Sequence, residues 1–473
     1  MNRIIRNTSS LFSAHLIGRL GSLVITAWLM PRFFTENAQG GYFVAIALTN
    51  LIASLTELGM QNPLIREMTL HPEKTRHYLG NALLVRLVLS VIAYTLMIVA
   101  GISLGYSSII VMMIVYLGLA EIVNSIAQLY RCVFRAHEDM KYEGITVIVE
   151  RGLYFLIGGA LILRGYDLLN VCQVLLIASG VNLFMSVGFT KYRFTPLRFE
   201  PSRKIVTVLM QQALPFSIGN LFNLLYFRVD AIMLSKLSPY GVEANTWYGL
   251  PYTIVNAFTI LPGAFIMGAM FPVLSRAFEQ ERDKLAETYT YGVRWMAITG
   301  VPLAVGLATL SHEISAVLFA TKSFDTIEKI ASAWTWLGIS GGMLFLTSVV
   351  LTVLRAADKR RAFSILMGTT ALLNILLNVY LIPRYSHVGA AIAMVVSETY
   401  ILIIGFYYIS KYITKLTAIG FIFKTIVISI LMGIGLVLLK GILSVWILIP
   451  LAILFYGGGM YILGELRTEF EFE

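Results

Sequence analysis

The chain has 473 residues, 58% of them hydrophobic and 13% charged, with a formal charge of +10 and a mean hydropathy of +0.78. A soluble domain carries roughly twice that share of charge, so composition excludes a soluble enzyme and a nucleic-acid reader. It points to an all-α polytopic membrane protein of about 14 spans, with short connectors and no room for a catalytic domain.

In chain order, apolar runs bounded by charge, Gly or Pro predict helices near 9–30, 41–60, 80–101, 108–130, 144–163, 168–190 and 212–235. The second half adds 246–270, 288–309, 330–354, 362–382, 388–410, 416–438 and 441–463. Hydrocarbon offers no water to an unpaired amide, so such runs must be helical. The basic start MNRIIRNTSS leads into the first run with no small-residue cleavage site after it, which predicts a retained span. With the N-terminus inside, 23 Lys and Arg fall in inner segments and 7 in outer ones. That bias predicts cytoplasmic termini and makes the positive charge a topology signal.

The longest inner connector, 191–211, holds Lys191, Arg193, Arg198, Arg203 and Lys204. It divides the chain into a six-helix lobe (1–190), a basic cytoplasmic linker (191–211), a second six-helix lobe (212–410) and a segment with two appended helices and an acidic tail (411–473). A weak repeat supports the division. Aromatic-led helices, GGYFVAIAL at 40–48 and NTWYGLPYT at 245–253, each run into a similar inner segment, PLIREM at 63–68 and PVLSRAF at 272–278. Matched halves around a central cavity are a transporter pattern. Cys132 and Cys172 have no ligand spacing, and the chain has neither a GxxxxGK[ST] loop nor an HExxH helix. The longest outer connector, 310–329, scatters only Glu313, Asp325 and Glu328, which disfavours a membrane enzyme.

Charge inside a span costs about 2.5–3.5 kcal/mol at the helix centre and marks candidate sites. Arg19 sits near the middle of the first span, with His15 one turn earlier on the same face. Arg228 and Asp230 lie past the middle of 212–235, two residues apart, and so point to different sides of their helix. Glu150 and Arg151 lie within 144–163, Glu121 deep in 108–130 and Glu398 near the middle of 388–410. The carboxylates Asp230, Glu121, Glu398 and Glu150 are coupling groups for H+ or Na+, or counter-ions of the arginines. Arg86, Arg294 and Lys424 lie within two turns of the inner surface, where they can snorkel, and are read as structural. Arginines on the lead helix of each half suit an anionic, phosphate-bearing substrate.

These features, taken with the ordered strings RLGSLVITAWLMPRFF and GGYFVAIAL within 18–48, ELGMQNPLIREM at 57–68, ALPFSIGNLFNLLYFRVDAIML at 213–234, GVRWMAITGVPLAVGL at 292–307 and TSVVLTVLRAADKRRAF at 347–363, make the chain resemble the polysaccharide flippase branch of the multidrug/oligosaccharidyl-lipid/polysaccharide exporter superfamily. The resemblance implies twelve core helices in two lobes plus two appended ones. It implies that undecaprenyl-diphosphate-linked oligosaccharide, of the O-antigen repeat-unit kind, moves from the inner to the outer leaflet of a bacterial cytoplasmic membrane. Membrane lipids and the polysaccharide polymerase machinery are the implied partners, and no fixed cofactor is implied. By position Arg19 and Arg228 match lobe-facing cationic positions of such flippases, and the carry-over of Asp230 rests on FRVDAIML. Alternatives that share the fold are a flippase for another lipid-linked precursor, such as the cell-wall lipid, and a multidrug/cation antiporter.

Overall fold

Every regular element among the described residues of the computed structural model is helical; those residues are 16, 18–57, 59–194, 200–266, 270–280, 282–417 and 419–465. The chain begins with α1 (18–33), which contains a π-helical turn, Val24–Leu29. Then follow α2 (Glu36–Glu57), the short α3 (Gln61–Leu70), α4 (Thr75–Ser103), α5 (Ser108–Ala136), α6 (Lys141–Leu163) and α7 (Leu168–Phe194). Next are α8 (Arg203–Leu237), α9 (Ala244–Phe258), α10 (Ile260–Phe265), the short α11 (Phe271–Glu279), α12 (Arg282–Thr309) and α13 (Ser311–Leu318). The last four are α14 (Phe324–Ala356), α15 (Arg360–Tyr412), α16 (Gly420–Leu439) and α17 (Val445–Ile462).

Ten helical segments among the described residues are long and apolar enough to cross a membrane. One of them, α15, has 53 residues. At 1.5 Å per residue this is about 80 Å, more than twice a hydrocarbon core of roughly 30 Å. It breaks at Ser386, whose φ of 50° and ψ of −129° are not helical, so it supplies the two runs expected at 362–382 and 388–410. Helix α8 starts at Arg203, well before the expected edge at 212, and takes Arg203 and Lys204 into its first turn. Runs α1, α8 and α9–α10 occupy the remaining expected positions, but they are not among the ten.

Packing divides the chain into two compact units. The first holds the chain up to Lys236 and Tyr240–Thr246; the second holds Leu237–Pro239 and everything from Trp247 on. Packing therefore separates the chain after α8, whereas the charge pattern marks 191–211, before it. Helix α8 is tied to the first unit at both ends. Leu209 joins a core with Leu64, Met68 and Cys132, and Gln212 donates to Glu67 at 3.2 Å. At the other end Ser235 and Tyr106 share a hydroxyl hydrogen bond of 2.7 Å. Lys236 lies 3.8 Å from the Tyr106 ring centroid, where loss of water lowers the pKa of its amine.

The core of the first unit is built from α1, α2, α4, α5, α6 and α7, with Tyr42, Met97, Ile114, Tyr154 and Cys172 buried in it. Both cysteines are buried and free, and they act as small apolar fillers. In the second unit α12 and α14 pack with their backbones almost touching. A Cβ on Gly300 would lie 2.6 Å from the Gly342 carbonyl oxygen, and one on Gly342 would press on the carbonyl oxygen of Gly300. Small residues permit this approach in a membrane helix pair. The appended α16 and α17 pack on α12 through Ile298, Met432, Leu436 and Met460, and the Tyr456 hydroxyl donates to the Ile298 carbonyl at 2.8 Å. The two short helices that carry the repeated PLIREM and PVLSRAF strings play parallel parts. Helix α3 packs on α4 and α5, and α11 packs on α12 and α14.

Candidate functional site

Helix α5 is apolar over most of its surface, yet Glu121, Asn124, Gln128, Arg131 and Arg135 follow one another at spacings of three or four, so they form a single stripe. Helix α2 carries a second stripe, Asn50, Ser54 and Glu57, continued by Gln61 at the start of α3. In the first unit the two stripes meet. Asn50 donates to Ile46 O at 2.9 Å and, more weakly, to Glu121 Oε1 at 3.4 Å. Gln61 donates to Gln128 Oε1 at 2.6 Å, and Arg131 donates to Asn124 Oδ1 at 2.9 Å. Asn50, Ser54, Glu57, Gln61, Glu121, Asn124 and Gln128 are all half-buried rather than enclosed.

The predicted charges gather at one end of this seam. Glu121 lies within electrostatic reach of Arg151, Glu150, Arg228 and Glu57. Arg151 and Arg228 are half-buried. Glu150 is buried and held on α7, accepting from Asn182 at 2.5 Å and from Ser179 at 3.3 Å. It lies within electrostatic reach of Arg131. The stem of Arg151 packs over α1: a Cβ on Gly18 would lie 2.7 Å from Arg151 Cγ. Arg19, the next residue along, is exposed. The π-helical turns of α1 and α6 (Tyr154–Gly158) lie against each other, since a Cβ on Gly158 would reach Ile25 Cδ1 at 3.6 Å. Such turns often mark functional positions in membrane helices.

Asp230 is buried, and one carboxylate oxygen accepts from the Ala231 amide at 2.8 Å. His15 lies outside the described residues. Glu398 belongs to the second unit and is fully buried. Its neighbour in sequence, Ser397, accepts from Asn374 at 3.3 Å, and Asn378 donates to Asn374 at 2.9 Å. Four of the eight expected residues, Glu121, Glu150, Arg151 and Arg228, thus belong to one connected region of the first unit.

Of the three cations near the inner surface, Arg86 does not snorkel. Arg86 is 0% exposed, and its guanidinium nitrogens have no hydrogen-bond partner among the described residues. Glu57 is the carboxylate within its electrostatic reach. Arg294 and Lys424 instead bind Glu465, at 2.6 Å and 2.7 Å, and so tie the end of α17 to α12 and α16. Missed in the sequence were Asn50, Gln61, Asn124 and Gln128. The signal was present as polar residues at helical spacing within apolar runs, but neutral amides do not stand out where charges are sought.

The family model described as polysaccharide biosynthesis protein matches residues 4–278, more than half of the chain. The chain belongs to this family. The model of the lipid II flippase MurJ matches residues 174–457. Among curated relatives, a probable low-salt glycan biosynthesis flippase, Agl15, from Haloferax volcanii is 22% identical over 417 residues, covering 86% of this chain and 84% of that protein. Among solved structures, the lipid II flippase MurJ in an inward closed conformation has a TM-score of 0.77 at 15% identity, covering 97% of this chain and all of that one. An inward-facing multidrug resistance transporter of the MATE family has a TM-score of 0.66 at 14% identity, covering 84% of this chain and 95% of that one. The flippase is therefore a multi-pass member of the multidrug/oligosaccharidyl-lipid/polysaccharide exporter superfamily, a transport protein rather than an enzyme.

Proposed function

We propose that this flippase moves undecaprenyl-diphosphate-linked oligosaccharide repeat units, of the O-antigen type, from the inner to the outer leaflet of a bacterial cytoplasmic membrane. The observation that supports it best is the placement of Arg151 and Arg228, half-buried and both within reach of Glu121. A diphosphate needs fixed guanidinium groups on a wet face to leave bulk water, and an amphiphile with a charged head cannot cross roughly 30 Å of hydrocarbon unaided. In this proposal two six-helix lobes, each containing its own short inner helix, rock in alternating access. Both termini are cytoplasmic, and Arg19 and His15 extend the cationic lining. Glu121, Glu150, Asp230 and Glu398 are the candidate groups for H+ or Na+ coupling. The inside-negative potential favours outward movement of the anionic head by about 2.3 kcal/mol per charge per 100 mV. The polymerase machinery is the partner that would consume the product.

The match of residues 174–457 to the lipid II flippase model favours a second substrate reading, a cell-wall precursor. Complementation separates the two. Surface polysaccharide restored in a strain lacking its repeat-unit flippase supports the proposal; rescue only of a strain lacking its cell-wall precursor flippase replaces it.

A further inference from the structure

The seam formed by α2, α3 and α5 starts at Asn50 and Glu121, well inside helices long and apolar enough to cross a membrane, and runs to Gln61 and Gln128 at their inner end, and its side chains are only partly buried. Partly exposed amides and carboxylates along such apolar helices are not stable against hydrocarbon, where an unpaired polar group costs several kcal/mol. The face they share is wet. Its chemistry differs from that of the arginine end. From Asn124 to Gln128, and from Asn50 to Gln61, the groups are neutral amides and hydroxyls interspersed with Glu57 and Glu121. Carboxylates repel phosphate but accept hydrogen bonds from hydroxyl groups. Amides both donate and accept, as hydroxyl groups do, and each offers up to four hydrogen bonds. Within the seam the pairs use few of these: Gln61 donates to Gln128 and to Glu57, and Asn124 accepts from Arg131. From Glu121 to Arg131 the stripe runs about 15 Å along α5, the length of a short oligosaccharide.

We infer that this seam is the binding track for the sugar portion of the substrate, with Asn124, Gln128 and Gln61 as specificity-determining residues and Arg151 and Arg228 at its phosphate end. The inference rests on the proposed lipid-linked glycan substrate and adds the residues that read its sugars. The track recognises vicinal hydroxyl and acetamido groups, and the lipid diphosphate alone does not engage it.

The test uses the purified full-length protein in lipid nanodiscs with two probes. One is undecaprenyl diphosphate; the other is the lipid-linked repeat unit accumulated by the flippase-deficient strain of the complementation experiment. The intact protein binds the glycan-bearing lipid more tightly. Combining Asn124→Ala with Gln128→Ala lowers that preference roughly tenfold, since each lost hydrogen bond accounts for about two- to tenfold. A merely structural defect would weaken both probes together and leave the ratio unchanged. Thr95→Ala, on the exposed side of α4, serves as the control that changes neither affinity. Should the double variant fail to fold, the single variants Asn124→Ala and Gln128→Ala are read by the same ratio, each expected to lower the preference about two- to tenfold. A ratio unchanged in the folded variant, or equal affinity of the intact protein for both lipids, overturns the track while leaving diphosphate recognition standing. Binding of neither lipid overturns both.

Discussion

The two units handle intramembrane polarity in opposite ways. In the first, Glu121, Arg151, Arg228 and the amides of α2, α3 and α5 are only partly buried, and Glu121 lies within electrostatic reach of four charges drawn from other helices. In the second, Asn374, Asn378, Ser397 and Glu398 are buried between the two arms of α15, while Arg294 and Lys424 are joined to Glu465 at the end of the bundle. The contrast teaches that the first unit presents polar groups to a ligand, whereas the second mostly uses them to hold its own helices.

The largest effect that would sharpen this comparison is at the arginine end. Arg228→Ala is expected to lower export about 10- to 100-fold at matched membrane levels, the range of a lost charge-assisted hydrogen bond of about 1.5–3 kcal/mol. Measuring surface polysaccharide checks it, and an unimpaired variant would make Arg228 structural. Arg228→Lys distinguishes simple charge from the guanidinium fork, with partial rescue expected.

Next comes the backbone contact of the second unit. Gly342→Leu forces a large side chain against the Gly300 carbonyl, and overpacking of about 1–3 kcal/mol should lower the unfolding temperature in detergent. A stability equal to wild type would show that α12 and α14 can separate without cost. Glu465→Gln removes the shared partner of Arg294 and Lys424. Because Lys424 is partly exposed, the expected loss is about 1 kcal/mol. It should be read as earlier proteolysis of α17, with export nearly intact. The smallest effect belongs to Arg32, which lies 4.3 Å from the Trp28 ring centroid at the exposed end of α1. Arg32→Ala should change thermal stability by less than about 1 kcal/mol, and a larger loss would show that this end of α1 carries more than a surface contact.

Much of the helical order was legible in the sequence, because apolar length is itself the signal that a backbone must satisfy its own hydrogen bonds. The runs at 362–382 and 388–410 were separable before the structure showed them broken at Ser386, since Pro383 and the charged Arg384 interrupt the pattern. Arg151 and Glu121 stood out as charges in apolar surroundings. Their meeting did not, because they are thirty residues apart and only the packing of α5 beside α6 and α7 brings them within reach. Arg86 shows the converse. Its distance from the helix end suggested a route to water, but α2 and α5 close over it.

The sequence by itself determined that this protein is a helical membrane protein, because composition and apolar run length leave a chain in hydrocarbon few other solutions. It also nominated the charged positions, because an ion at that depth must have a reason to be there. Only the tertiary structure decided that α8 packs with the first unit, that Arg86 is enclosed, and that Asn50 and Gln61 face the stripe of Glu121, Asn124 and Gln128. Those outcomes depend on the rotation of one helix about its axis relative to another. A sequence period gives each helix its polar face, and only packing determines which faces meet.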